Sequence, residues 1–146
     1  MKIRVLLFAL ACSLAASPAV TAAEAPETEM GAKMDKMSGA FRALRRQITD
    51  ATKNADSLAK VATIKENAVA SLKLEPAMKA EKPAAEQKKF VADYQAEMKK
   101  FIELCGKLEA ALKANDNVLA AKLCGEMGDA QKAGHKVYKK DDKKKK

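Results

Sequence analysis

The chain has no tryptophan, one histidine and only 4% aromatic residues. Basic residues interleaved with stacking aromatics are therefore absent, and nucleic-acid binding has no support beyond bulk charge. A single histidine removes most Ser-His-Asp and Cys-His arrangements, and no paired carboxylates or phosphate loop stand out, so an enzyme is not expected. No segment alternates with period two, and valine, isoleucine and threonine never cluster, which leaves strands without support. Beyond the N-terminal stretch no apolar run approaches the ~20 residues that cross a bilayer, so stable membrane insertion is not expected.

What the chain does have begins with a leader. Lys2 and Arg4 precede an apolar run over residues 5–11, and a small-residue stretch ends in Val20, Thr21, Ala22 and Ala23. This is the pattern of a secretory signal peptide, residues 1–22, whose removal exports the remainder to the periplasm of a two-membrane cell. Cys12 as an acylated lipoprotein cysteine is a lesser reading, because Ala9 fits poorly three positions before it. Net charge is +9, and +7 without Lys2 and Arg4. The last eight residues, KKDDKKKK at 139–146, supply +4 of it. Such a tail is a disordered solvated end, or an electrostatic handle for an acidic partner or an anionic membrane face.

Residues 23–138 read as one all-α domain. Pro26, Glu27 and Glu29 suit a helix start. Met30, Met34, Met37, Phe41, Leu44, Ile48 and Ala51 then recur at spacings of four and three, predicting a first helix that ends near Lys53 and Asn54. Asp56 and Ser57 offer caps for a second, with Leu58, Val61, Ile64, Ala68, Val69 and Leu72 as its apolar members. The pattern lapses around Pro76 and Pro83. A third helix is predicted over 84–113, with Phe90, Tyr94, Met98, Phe101, Cys105, Leu108 and Leu112 on one stripe, and a fourth follows the Asn115-Asp116-Asn117 turn. Four such helices with short connections predict an antiparallel up-down-up-down bundle, in which the start of the first lies level with the end of the fourth.

That topology brings the Met30 to Phe41 face to His135. Stepping back from His135, the same face of the fourth helix shows Gln131, Gly128, Cys124 and Ala121, which leaves space for a close neighbouring helix or for a flat cofactor. From the residues alone His135 has two uses: a favourable cation near a helix C-terminus, or a metal ligand. The three methionines can likewise be adaptable core filler or thioether donors.

The methionine stripe, the proline-bearing middle connection, the aromatic third helix and AQKAGHKVYKK near the end together resemble the soluble cytochrome b562 family, over about residues 30–138. The resemblance implies a four-helix bundle holding one non-covalent haem b for electron transfer, with Met34 and His135 as axial ligands. It places Met37, Phe41, Tyr94 and Met98 along the pocket. The basic surface points to acidic redox partner proteins, and a monomeric carrier is expected. The family pattern has an arginine one turn before the histidine, near a haem propionate, and a tyrosine immediately before it; Gln131 and Gly134 stand there instead. No Cys-x-x-Cys-His occurs, so covalent attachment is not indicated. The alternative is a haem-free helical bundle acting as a periplasmic binding or stress-response module.

Cys105 and Cys124 are equidistant from the midpoint between Ala114 and Asn115, which sets them at one height on facing helices. Export favours their oxidation, and a disulfide between them would close a loop of roughly 18 residues and contribute about 3 kcal/mol. Zinc is the weaker use, since two cysteines and a histidine about three turns further on do not converge.

Overall fold

A computed structural model describes residues 28–140. The expected signal peptide, and residues 141–146 of the tail, lie outside the described residues. Four α-helices carry the chain: α1 (Glu29–Gln47), α2 (Asn54–Ser71), α3 (Ala84–Lys113) and α4 (Asn117–Tyr138), and no strand occurs among the described residues. None of these helices is long and apolar enough to cross a membrane.

Each boundary has a local cause. Thr28 accepts the Gly31 N–H at 3.0 Å and Glu29 occupies the first turn, both favourable at the positive end of α1. The first helix stops at Gln47, one to two turns before the expected end near Lys53. Asp50 there accepts the Thr52 N–H at 3.0 Å and its hydroxyl at 2.6 Å, which draws residues 51–53 into a 3-10 turn. Ala51, read as the last member of the apolar stripe, is exposed in that turn. α2 then starts at Asn54, and the expected caps Asp56 and Ser57 fall inside it. Both accept from Gln47 Nε2 instead, at 2.8 and 3.1 Å, which ties the end of α1 to the start of α2.

α3 spans the predicted residues, following Pro83, and Asp116 caps α4 by accepting the Leu119 N–H at 2.9 Å. The sharp αα turn between them needs a left-handed residue, and Asn115 supplies it at φ 56°. The middle connection carries one short 3-10 segment, Ala77–Glu81.

The helices alternate in direction, and the two ends of the bundle are fastened differently. At one end the Asn54 amide donates to Asn115 Oδ1 at 3.0 Å and to Asn117 Oδ1 at 3.2 Å. Asn117 in turn donates to the Ile48 carbonyl at 2.8 Å. At the other, the Tyr138 ring lies 5.1 Å from Phe90 and 5.3 Å from Tyr94 between centroids. Between them runs one core, with Leu44, Val61, Ile64, Cys105, Leu108, Leu112 and Met127 essentially inaccessible. Successive helices pack along their lengths, whereas the backbones of α1 and α4 hardly approach. The fold therefore closes on a seam between its first and last helices.

Candidate functional site

The seam has a register, and Phe41 sets it. Its ring lies 3.7 Å from where a Cβ on Gly128 would stand, so Phe41 of α1 and Gly128 of α4 meet. An alanine at Gly128 would make only ordinary contact there. Met34 lies seven residues before Phe41, and His135 seven after Gly128. Seven residues are close to two helical turns, so in antiparallel helices Met34 and His135 return to the seam at one height. The aromatic end checks this from the other side. Tyr94 of α3 reaches both Met30, with Oη 3.6 Å from Sδ, and the Tyr138 ring. Met30 is one turn before Met34, and Tyr138 one turn beyond His135.

The three methionines of α1 are not equivalent. Met37 is buried in the core, and Met30 faces the Tyr94 hydroxyl. Met34 is half-buried, packed on the edge of the core. Phe41 and Tyr94 are buried, and Met98 is half-buried against the core one turn along α3 from Tyr94. The Tyr94 hydroxyl also donates to the Ser71 carbonyl at 3.3 Å, and burial pushes its pKa up to about 12, so it remains a neutral donor.

His135 is an exposed residue. Partial burial of the ring, and then the charge of Lys139 one turn on, hold its pKa below the ordinary histidine value. At neutral pH the imidazole is therefore neutral, the form that can give a lone pair to a metal. A neutral imidazole and a thioether from facing helices fit the axial positions of a haem iron. A bare cation is served less well, because no group of three histidine, cysteine, aspartate or glutamate side chains capable of holding one occurs among the described residues.

Cys105 and Cys124 both turn into the core and stand as free thiols, so the expected disulfide clamp is not formed in this structure. They pack there as small apolar side chains. Burial pushes the Cys105 thiol up to about 12 and raises that of Cys124 as well.

Two features had little signal in the sequence. The Arg45 guanidinium sits 5.8 Å above the Phe41 ring, an arrangement set by helical spacing that no motif marks. A groove of about 690 Å³ between α2 and α3, lined by Leu58, Ala62, Lys65, Val69, Glu109 and Lys113, contains none of the predicted site residues.

Comparison with known proteins adds one finding: residues 29–139 match the family model described as cytochrome b562. No curated protein and no solved structure matches the chain. The match covers most of the chain and all four helices, and the chain belongs to the cytochrome b562 family, haem-binding electron carriers built as helical bundles.

Proposed function

We propose that the chain is a periplasmic electron carrier holding one haem b, non-covalently, in the α1–α4 seam, with Met34 and His135 as its axial ligands. The observation that carries the reading is the register. Phe41 against Gly128 on one side, and Met30 and Tyr138 around Tyr94 on the other, bracket Met34 and His135 at a single height. Choice of Met34 over its neighbours is supported by what those neighbours already do, Met30 facing a hydroxyl and Met37 filling the core.

Haem, when bound, supplies a one-electron ferric/ferrous couple. The protein's part is to fix and tune it. Met34 of α1 and His135 of α4 would hold the iron, and a thioether donor would favour the ferrous state and raise the potential. Donors from both helices would leave the iron no open position for a substrate, which suits electron transfer without turnover. Met37, Phe41, Tyr94 and Met98 keep water away from the inner edge and so limit reorganisation. Lysines and arginines over the surface steer a monomeric carrier to acidic redox partner proteins, an attraction that weakens with salt.

The experiment is an absorption spectrum of the purified chain after addition of equimolar hemin, oxidised and then reduced with dithionite. Sharp reduced bands that broaden or shift in both Met34→Ala and His135→Ala are expected. Absence of such bands, or bands untouched by either substitution, would overturn the proposal.

A further inference from the structure

Ion pairing is uneven over the bundle. On α2 and α3, Lys60, Lys65, Lys89, Lys100 and Lys113 each have a carboxylate within 3.2 Å. On α1, Arg42, Arg45 and Arg46 have no ion-pair partner among the described residues. On α4, Lys132 reaches only Asp129, at 3.3 Å, with the two side chains 79% and 81% exposed. A contact so open to solvent leaves the lysine available.

Two of these cations converge on the seam. Arg45 lies one turn past Phe41, and helical side chains lean toward the N-terminus of their own helix, which brings its guanidinium back over the Phe41 ring. Its charge also reaches Cys124, on the facing helix. Phe41 stands about 10 Å along α1 from Met34, at 1.5 Å per residue. Lys132 lies one turn inward of His135 on α4, is exposed, and by the same lean points toward the body of the bundle. An arginine and a lysine from opposite banks therefore stand over one stretch of the seam, on one side of the Met34 and His135 level. Gln131, between them on α4, brings no charge.

Resting on the haem reading, we infer that Arg45 and Lys132 hold the two propionate carboxylates of the porphyrin, one cation from each helix. Both carboxylates are ionised at neutral pH and need counter-charge as the ring enters a partly desolvated slot. Arg45 has no ion-pair partner among the described residues, and the contact of Lys132 with Asp129 is open to solvent, so both charges are free to turn to the ring. Arg45 adds geometry as well as charge, since a planar guanidinium can take a carboxylate with two parallel hydrogen bonds while resting on Phe41. This part of the site selects porphyrins with free carboxylates.

Competitive titration of the full chain with ferric protoporphyrin IX and with its dimethyl ester tests the assignment. The free acid should bind on the order of 10- to 100-fold more tightly than the ester. In Arg45→Leu/Lys132→Leu that preference should collapse toward unity through weaker binding of the acid alone, with the ligation spectrum unchanged. Arg45→Lys should restore part of it, and Lys107→Leu, an exposed position on α3, should leave it intact. Because the acid-to-ester ratio is compared between wild type and variants, the difference in the two porphyrins' own solubility cancels. Equal affinities for acid and ester in the wild type, or a double variant that weakens both alike, would overturn the inference while the haem reading stands. If neither porphyrin gives a six-coordinate spectrum, the haem reading fails and this one with it.

Discussion

At the scale of single residues, the site depends on how ordinary side chains are biased by their neighbours. His135 is the clearest case. Partial burial and Lys139 both disfavour its protonated form, so the folded chain binds that proton less readily than the unfolded chain does. A group whose folded pKa is depressed contributes stability above its unfolded value, near 6.5 for histidine, and loses it as the pH falls below that. The cofactor-free protein should therefore become easier to denature with urea as the pH drops from 7 toward 5, and His135→Gln should flatten that part of the profile. A profile of unchanged slope in the variant would show that the ring is not strained toward neutrality. Asp50, Asp56 and Glu109, held below the usual carboxylate range by hydrogen bonds to Thr52, Gln47 and Lys113 respectively, act only at lower pH and do not interfere with the comparison.

Among the elements, the connections decide what the helices can do. Asn54 is 7% exposed and joins the start of α2 to the α3–α4 turn and to Asn117, which holds the end of α1. Removing its amide leaves those acceptors short of a donor in a nearly closed space. Asn54→Ala should cost about 1–3 kcal/mol in chemical denaturation, whereas Ala55→Ser beside it should be nearly silent. The same region shows where sequence reasoning stopped short. α3 was legible to its ends, because Pro83 begins it and a run of asparagine and aspartate closes it. The break between α1 and α2 has no glycine or proline; an aspartate folding back on Thr52 makes it, and an unbroken apolar spacing hides it. The inward face of α2 was misread for a related reason. Val69 is 47% exposed, while Asn67 and Ser71 are buried. Their polar atoms bond back to the Thr63 and Asn67 carbonyls at 2.8 Å each, so both can enter the core at little cost.

For the whole molecule, the arrangement of four helices follows from apolar periodicity and loop length, which is why the bundle and the meeting of its first and last helices could be read from the sequence. The height of Met34 against His135 is a different kind of property. It depends on the Phe41 and Gly128 contact and on the aromatic end, long-range packing that spacing within one helix cannot express. Cys105 and Cys124 stand in this structure as buried free thiols, a state that equal height on two helices does not decide. The proposed haem site requires that Met34, and not Met30 or Met37, share an iron with His135. The most direct measurement is the weak near-infrared charge-transfer band that a thioether gives when bound to ferric haem, recorded on hemin-loaded wild type and on Met30→Leu, Met34→Leu and Met37→Leu. The band should be present in the wild type, persist in the Met30 and Met37 variants, and vanish in Met34→Leu. A band that survives Met34→Leu, or that disappears only when Met30 or Met37 is replaced, would contradict the register from which the site was built.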